Sequence, residues 1–385
     1  MFAQETHFTK NYGVINRGVL RNETCESARW QELFNFFVFS RPRRRGVDIL
    51  LSRYIRYLMK ALVTGGAGCI GSDLAEALLT RGDQVVAIDN LSSGRLEHIE
   101  PLRANPNFSF IEGDLEDAAL VGSVMNGIDL VWHFAANPEV KFSVGDATDK
   151  DLRQNIICTY NVLEAMRRCG VKRLAFSSTS AVYGITPVQP IPESAPFPLP
   201  ISLYGATKQG CEALISAFQN LFEWQCWIFR FANIVGPKVR KKGRTVIGDF
   251  IVRLHENPRQ LTILGNGKQA KSYLLSEECI RAMLFIVGHA AERLNVYNVG
   301  CDDSLRVTRI ADMVVEALGL TNVEYQFTGG ESGWPGDVPH FLLDTRKANK
   351  LGWKARHNSE EAVRIAIQQV LAQTTAVVAE EPCKP

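Results

Sequence analysis

The sequence predicts an α/β protein built on a doubly wound parallel β-sheet, and three observations support this prediction. From Met59 onward, short apolar segments of strand length alternate with longer segments of helical periodicity. A glycine-rich turn joins the first strand to the first helix, and the second strand ends in an acidic residue. Alternating β and α units of this length form parallel sheets that helices cover on both faces.

Length and composition are typical of an intracellular enzyme. A chain of 385 residues, 46% hydrophobic, can bury a large core and suggests about two domains. The nine cysteines are scattered and odd in number, without a C-x-x-C pair, which predicts reduced thiols in the cytoplasm rather than disulfides or a zinc site. A net charge of +2 argues neither for nor against a nucleic-acid partner. No apolar run reaches the roughly 18 residues that a membrane span needs, and the isolated histidines predict no metal site.

The first 58 residues differ from the rest of the chain. They hold ten Lys/Arg against five Asp/Glu, a net of +5, and an apolar patch at residues 36–39 without lasting periodicity. The patch is too short and too deep in the chain for a signal peptide. Because Met59 immediately precedes the first strand, we expect it to be the natural start and residues 1–58 to be upstream sequence or a disordered extension. The alternative is a basic arm for membrane or nucleic acid, to which residues 43–45 would contribute.

The turn after the first strand contains Gly65, Gly68 and Gly71, and a helical pattern follows from Leu74. Glycines permit a tight turn and a close approach of the backbone to a pyrophosphate, whose charge is favoured at a helix N-terminus. A lone glycine loop can equally be a structural turn. The strand before it and the helix after it favour dinucleotide binding.

The second strand, residues 84–88, ends in Asp89, eighteen residues after Gly71. An acid at this position accepts hydrogen bonds from the adenosine ribose hydroxyls and repels a 2′-phosphate. The sequence therefore predicts NAD rather than NADP as the cofactor.

The following strands end in residues suited to the same ligand. Residues 108–112 precede Asp114 and Leu115, where an acid and an adjacent amide could hold the adenine edge. Residues 130–134 precede Ala135 and Ala136, whose small size lets the chain pass under a dinucleotide. The pattern continues with a helix at 152–168, strands at 173–177 and 226–231, a proline-rich loop at 186–200 on the active-site side, and a final amphipathic helix at 359–371.

Tyr204 and Lys208 stand four residues apart in a helical segment, so both side chains share one face. An unperturbed phenol has a pKa of about 10 and is a poor base at neutral pH. A neighbouring ammonium stabilises the phenolate, so we expect Lys208 to lower the pKa of Tyr204. Such a pair is often a surface accident, but the predicted dinucleotide site favours a catalytic base.

Four motifs together resemble the extended short-chain dehydrogenase/reductases, and most of all the NAD-dependent nucleotide-sugar epimerases of the UDP-glucose 4-epimerase type. They are Gly-Gly-Ala-Gly-Cys-Ile-Gly at 65–71, Asp-Asn-Leu-Ser-Ser-Gly at 89–94, Phe-Ser-Ser-Thr-Ser-Ala-Val-Tyr-Gly at 176–184, and Tyr-Gly-Ala-Thr-Lys at 204–208. The resemblance covers about residues 59–372.

This resemblance implies the domain organisation and the assembly. It implies a Rossmann domain with a seven-stranded sheet at residues 59–235, and a smaller α/β C-terminal substrate-binding domain at 236–372 with segments returning to the sheet. Residues 373–385 would be a frayed tail. It also implies a homodimer formed by the helices at 152–168 and 203–221.

The resemblance further implies the roles of single residues. Thr179 would hydrogen-bond a sugar hydroxyl, Tyr204 would take the proton from the C4 hydroxyl, and Lys208 would bind the cofactor ribose. Hydride would leave C4 for the nicotinamide and return to the other face of a 4-keto intermediate. The implied cofactor contacts are Gly65, Gly68, Cys69, Ile70, Gly71, Asp89, Asn90, Ser93, Gly94, Asp114, Leu115, Phe134, Ala135, Ala136, Ser177, Tyr204 and Lys208.

Ser180 and Ala181 help to choose between the reactions of this superfamily. Its sugar 4,6-dehydratases usually follow the threonine with Asp-Glu, and its decarboxylases keep the glutamate. Serine and alanine cannot perform that proton transfer, although both could simply be packing residues beneath the sheet. They favour an epimerase over a dehydratase or reductase. A non-catalytic NAD-binding or nucleic-acid-binding relative would be expected to have lost Thr179, Tyr204 or Lys208.

The substrate side departs from the family pattern. Asn233 matches an asparagine that contacts the nucleotide diphosphate, or is only a turn residue at a strand end. Residues 261–275 resemble a nucleotide-binding hairpin in which Lys271 replaces the usual arginine and loses bidentate geometry. A second arginine expected near Trp334 is absent. Phe341 stands where the family sets pocket size, and its bulk favours a UDP-hexose without an N-acetyl group. Replacement charge could come from a basic run that is otherwise a solvated loop: Lys238, Arg240, Lys241, Lys242 and Arg244.

Overall fold

The computed structural model describes residues 58–139, 147–196, 199–238 and 245–380, with the backbone alone for residues 374–380. The predicted N-terminal extension, except for Leu58, and the basic residues Arg240, Lys241, Lys242 and Arg244 lie outside these ranges. The strands are β1 (Lys60–Thr64), β2 (Gln84–Asp89), β3 (Phe108–Glu112), β4 (Leu130–His133), β5 (Arg173–Thr179), β6 (Gln225–Phe231), β7 (Asn233–Val235), β8 (Gln260–Ile263), β9 (Ala270–Lys271), β10 (Tyr273–Leu275), β11 (Leu294–Val299), β12 (Leu305–Arg306), β13 (Glu324–Phe327) and β14 (His340–Phe341).

Seven of these strands form one parallel sheet in the order β11-β6-β5-β4-β1-β2-β3. The chain first builds outward from β1 through β2 to β3, then returns to the other side of β1 with β4. The strand order therefore reverses between β1 and β4, where doubly wound sheets bind their ligands at the carboxyl ends of the strands. The predicted doubly wound parallel sheet is confirmed.

Helices cover both faces of this sheet. The longer helices of the described ranges are α1 (Cys69–Thr80), α2 (Ala118–Val124), α3 (Cys158–Cys169), α4 (Leu203–Phe222), α5 (Val246–Glu256), α6 (Ser276–His289), α7 (Val307–Ala317), α8 (Arg346–Leu351) and α9 (Ser359–Glu380), of which α1 and α6 pack on one face of the sheet and α3 and α4 on the other. On β1, Ala61 and Val63 enter the core cluster that contains α1 and α6, whereas Leu62 enters the cluster that contains α3 and α4. This alternation buries the strand on both faces, which explains its continuous apolar sequence.

The described C-terminal part forms three smaller sheets. β7 pairs with β10, β8 pairs with β13, and β9 lies between β12 and β14. Residues from α5, α7 and α9 pack together in a separate apolar core. The predicted hairpin at residues 261–275 is therefore wrong: β8, β9 and β10 each pair with a distant strand and not with one another. The resemblance suggested the hairpin, but the hydrogen bonds of these strands go to partners that are distant in the chain, which local sequence does not reveal.

Two helix predictions also need correction. The helix predicted at 152–168 begins with a single turn at Asp149–Asp151, continues as a π-helix at Leu152–Ile157, and becomes regular only in α3. The side chain of Asn155, in the π-helix, bonds the amide of Asn137 and the hydroxyl of Thr207. The tail predicted from residue 373 is instead helical as far as Glu380, while residues 381–385 lie outside the described ranges. None of the helices in the described ranges has the length and apolarity needed to cross a membrane.

Candidate active site

The glycine-rich turn has no room for a side chain at Gly65 or Gly71. Gly65 has φ +68°, and a Cβ there would lie 2.8 Å from the Ala135 nitrogen. A Cβ on Gly71 would lie only 2.1 Å from the carbonyl oxygen of Gly65. Helix α1 begins at Cys69, with Gly68 as its N-cap residue. A cradle of backbone that any Cβ would fill, at the start of a helix, fits the pyrophosphate of a dinucleotide.

Asp89 ends β2 with its carboxylate buried against this turn. Its oxygens accept hydrogen bonds from the amides of Ala67 at 3.0 Å and Leu91 at 2.8 Å. Burial raises the pKa of Asp89, and these amide bonds oppose that rise. A Cβ on Gly94 would lie 2.7 Å from the carboxylate, so the loop with Ser93 passes close only because residue 94 is glycine.

The loops after β2 and β3 are hydrogen-bonded to each other, and the loop after β4 is hydrogen-bonded to β1. Asn90 donates a hydrogen bond to Asp114 at 2.8 Å. The hydroxyl of Thr64 accepts bonds from the amides of Phe134 and Ala135, both at 3.2 Å. The predicted cofactor residues from Gly65 to Ser177 therefore lie at or just beyond the carboxyl ends of the first five strands. They come from one edge of the sheet, as their positions after predicted strands required.

His133 is a core residue. It is fully buried, and its ring nitrogens lie 2.7 Å from the Thr64 hydroxyl and 3.0 Å from the Thr159 hydroxyl. Burial lowers the pKa of His133 to about 3, and the nearby Lys208 charge contributes to that fall. In the described ranges, no three His, Cys, Asp or Glu residues form a group that could hold a metal ion.

Tyr204 and Lys208 lie in the first two turns of α4, which Ser202 caps by accepting a bond from the Gly205 amide at 3.1 Å. The Lys208 ammonium is buried and donates to the carbonyl oxygen of Ser177 at 2.7 Å. The side chains of Tyr204 and Thr179 share a hydrogen bond. The spacing thus correctly indicated a shared face, and it brings the three predicted catalytic residues to the end of β5.

The prediction that Lys208 lowers the pKa of Tyr204 is wrong for the protein without a bound cofactor. Burial raises the pKa of Tyr204 to about 12, and the hydrogen bond from Thr179 offsets only part of that rise. Burial also lowers the pKa of Lys208 to about 8. Loss of water disfavours the charged form of each group, and the Lys208 ammonium is directed at the carbonyl of Ser177. Helical spacing carries no information about this desolvation.

One cavity of about 320 Å³ collects the predicted substrate residues. Thr179 from β5, Asn233 from β7, Lys271 from β9 and Phe341 from β14 all line it. Ser180 and Ala181 line it as well, because a 3₁₀ turn at Ser180–Tyr183 follows β5. The interpretation of these two residues as packing beneath the sheet is therefore wrong.

The sequence did not single out Asp337 or Gln269, which also line the cavity. The Lys271 ammonium lies 2.5 Å from the Asp337 carboxylate and 5.2 Å from the ring centre of Trp334. Asp337 also accepts a bond from the Gly333 amide at 2.9 Å. Its only signal in the sequence is its place at the end of a Gly-Trp-Pro-Gly turn. The charge of Lys271 is thus balanced by an acid that sequence distance concealed.

Lys238 is the one residue of the predicted basic run that the described ranges include. Its ammonium lies 2.6 Å from the Asp73 carboxylate and 3.0 Å from the Ser72 hydroxyl, both in the first turns of α1. The Cys69 thiol donates to the Lys238 carbonyl oxygen at 3.2 Å. The start of the basic run is therefore attached to α1.

A doubly wound sheet with a glycine cradle at β1 and an acid at the end of β2 defines a dinucleotide-dependent α/β enzyme. The model of the NAD dependent epimerase/dehydratase family matches residues 61–300, and the chain belongs to this family. Its cofactor is NAD, and the extended short-chain dehydrogenase/reductase resemblance is confirmed.

Individual relatives within this family perform different reactions. A crystal structure of a UDP-galactose 4-epimerase is 39% identical, with a TM-score of 0.72, and the match covers 82% of this chain and 99% of that one. The NAD complex of UDP-glucose 4-epimerase from Thermus thermophilus is 29% identical, with a TM-score of 0.72 and coverage of 81% and 99%. A trifunctional UDP-glucose 4,6-dehydratase from Arabidopsis thaliana is 32% identical over 79% of this chain and 46% of its own length. The chain is therefore similar to both epimerases and dehydratases.

Proposed function

We propose that this chain catalyses the NAD-dependent epimerisation of a nucleotide sugar at C4, of the UDP-glucose/UDP-galactose type, through a transient 4-keto intermediate. The observation that carries the proposal is the chemistry beside Thr179. Ser180 and Ala181 line the cavity at the positions where dehydratases of the superfamily usually carry an acid pair. Neither side chain can supply the base and the acid that eliminate water across C5 and C6, so the site favours a reaction in which the hydride returns to C4.

The proposed chemistry uses three side chains of this protein. Thr179 orients the C4 hydroxyl, and Tyr204 takes its proton and later returns it. Bound NAD supplies the hydride acceptor and a positive charge. Lys208, with a pKa lowered to about 8 by burial, is still mostly protonated at pH 7 and supplies a second positive charge. Because burial raises the pKa of Tyr204 to about 12, the phenol needs such charges before it can act as a base.

The rest of the cavity supports a nucleotide-sugar substrate. Asn233 and the Lys271–Asp337 pair offer polar contacts for the diphosphate and ribose, and Val246, Phe250 and Val307 offer an apolar wall. Phe341 narrows the cavity, which favours a hexose without an N-acetyl group. We also propose a homodimer through the helices at 152–168 and 203–221. Apolar side chains exposed on these helices support it: Leu152, Ile157, Tyr160, Leu203 and Leu221.

The test is to incubate the protein with UDP-galactose and NAD and to resolve the sugar products by chromatography. We expect UDP-glucose without net NADH, and a rate about 10²- to 10⁴-fold lower for Tyr204→Phe because the proton acceptor is lost. Tyr297→Phe, a buried tyrosine on β11, is the matched control and should keep the wild-type rate. Failure to form an epimer from UDP-, GDP- and dTDP-hexoses, with Tyr204→Phe equal to wild type, would refute the enzymatic proposal.

A 4,6-dehydratase is the second candidate. The observation that favours it is Glu139, a carboxylate that lines the same cavity. A dehydratase would convert the substrate into a 4-keto-6-deoxy sugar, which has lost water and is lighter by mass spectrometry. Appearance of that product in place of the epimer would replace the epimerase proposal.

A further inference from the structure

A polar row crosses the sheet next to the proposed catalytic residues. Ser178 on β5, Arg230 on β6 and Asn298 on β11 are direct neighbours in the parallel register. Ser178 and Asn298 are buried, and the Arg230 side chain is only 13% exposed. Buried polar groups are costly unless they are hydrogen-bonded, so a row of this kind needs a complete set of partners.

Arg230, at the centre of the row, bonds Glu212 and Tyr183, which are the partners of Ser178 and Asn298. Its Nε and Nη2 donate to the Glu212 carboxylate at 3.0 and 2.6 Å, and its Nη1 donates to the Tyr183 hydroxyl at 2.9 Å and the Glu193 carbonyl oxygen at 3.0 Å. Four of the five N–H groups of the guanidinium are thus used. The Tyr183 hydroxyl in turn donates to Asn298 at 2.8 Å. Forked, charge-assisted bonds of this kind fix geometry as well as charge.

The partner of Arg230 belongs to the helix that carries the proposed base. Tyr204, Lys208 and Glu212 occur every four residues on α4 and form one stripe. Each of them bonds the end of β5: Tyr204 bonds the Thr179 side chain, Lys208 bonds the Ser177 carbonyl at 2.7 Å, and Glu212 accepts from the Ser178 hydroxyl at 2.5 Å. The helix is therefore docked on three consecutive strand residues.

The same network holds both sides of Thr179. Ser178 precedes it and bonds Glu212, while Tyr183 follows in the 3₁₀ turn and bonds Arg230. The described lining of the cavity includes Thr179 but none of these four residues of the network. An effect of this network on catalysis would therefore act through the position of Thr179 and Tyr204.

We propose that Arg230 and Glu212 are positioning residues that hold α4 in register with the end of β5, so that Tyr204 and Thr179 stay in hydrogen-bond reach of the same substrate hydroxyl. The proposal rests on the proposed function. A displacement of about 1 Å in such a constellation can cost about 100-fold in rate without loss of substrate binding.

The test compares Arg230→Lys, which keeps the charge but loses the fork, with Ser178→Ala, which removes the bond to Glu212 without leaving a buried charge. We expect kcat to fall about 10- to 100-fold in Arg230→Lys, and less in Ser178→Ala. The KM for the nucleotide sugar and the Kd for NAD should stay within about twofold, because binding residues are untouched. Arg173→Lys is the matched control at the opposite end of β5, where the side chain lies over Trp227, and should leave kcat unchanged.

Amide hydrogen exchange supplies a readout that does not depend on turnover. In both variants, exchange should rise at residues 177–179 and 203–208 and stay constant in β1 and α1. Wild-type kcat in a folded Arg230→Lys, or a parallel fall of kcat and rise of KM, would overturn the proposal. If Arg230→Lys does not fold, Ser178→Ala decides alone. If the wild type converts no nucleotide sugar, the proposed function fails, whereas unchanged exchange in the variants refutes the positioning role itself.

Discussion

The cofactor side and the substrate side of this site are built in different ways. On the cofactor side, most of the predicted contacts come from short turns at the ends of β1 to β5, and the decisive feature is backbone that leaves no space for a Cβ at Gly65 and Gly71. On the substrate side, the cavity walls come from segments between Pro138 and Phe341, and the decisive features are side-chain pairs such as Lys271–Asp337. Local motifs specify the first kind of site, whereas the second depends on long-range packing.

This difference affects how each side tolerates change. A site formed by backbone is disrupted by a single added Cβ atom, because the neighbouring backbone cannot move aside. A cavity lined by side chains can be altered by degrees, because one wall residue can change while the others remain. We therefore expect substitutions on the cofactor side to abolish binding of NAD, and those on the substrate side to change affinity or selectivity.

Gly71→Ala should have the largest effect. Its Cβ would lie 2.1 Å from the Gly65 carbonyl oxygen, so we expect about 3 kcal/mol of destabilisation and a loss of NAD binding of at least about 100-fold. Gly122→Ala is the matched control, because nothing lies within 4 Å of a Cβ there. Urea unfolding and calorimetric titration with NAD measure both quantities. A variant that bound NAD normally would contradict the backbone cradle.

Asp337→Asn tests the substrate side. It leaves the mostly buried Lys271 ammonium without its counter-charge, and breaking such a pair typically costs about 3 kcal/mol. We expect a raised KM for the nucleotide sugar and an unchanged Kd for NAD. Glu100→Gln, which breaks the exposed pair with Arg103, should change neither quantity. An equal loss of NAD affinity in Asp337→Asn would show that the two sides are not separable.

The free energy of unfolding should depend on pH through His133, which lies beneath the cofactor side. Its pKa is about 3 when folded, below the ordinary value of 6.5, so the unfolded chain binds the proton first. Stability is therefore fully present above about pH 6.5 and falls as the pH drops toward 3, by about 2 kcal/mol between pH 7 and pH 5. Urea unfolding of His133→Asn should show a correspondingly flatter pH dependence, and the exposed His255→Asn should retain the wild-type slope. The same slope in His133→Asn would contradict the prediction.

Phe341→Leu should have the smallest effect. The side chain packs with Val182, Ile191 and Leu343 and narrows the cavity, so a smaller residue makes room for an N-acetyl group. We expect the ratio of kcat/KM for UDP-N-acetylglucosamine over UDP-glucose to rise about tenfold, the usual size of a steric effect in an apolar pocket. Phe327→Leu, half exposed on β13, serves as the control. An unchanged ratio would remove Phe341 from the determinants of selectivity.

The sequence alone determined the sheet, the cofactor and the grouping of Thr179, Tyr204 and Lys208. Strand and helix periodicity, glycine spacing and the acid after β2 are local signals, because backbone conformation is decided within a few residues. The failed predictions share the opposite property. The supposed hairpin at 261–275 is three strands with distant partners, and the π-helix at Leu152–Ile157 lies in a segment whose sequence pattern predicts one continuous helix.

Tertiary structure alone decided the electrostatics of the site. The pKa of Tyr204 rises to about 12 because burial disfavours the charged phenolate, and the hydrogen bond with Thr179 offsets only part of that rise. The partner of Lys271 is 66 residues distant, and Arg230 joins strands and a helix that no motif links. Desolvation and ion pairing depend on what surrounds a group in space, and linear spacing contains that information only where the neighbours are also close in sequence.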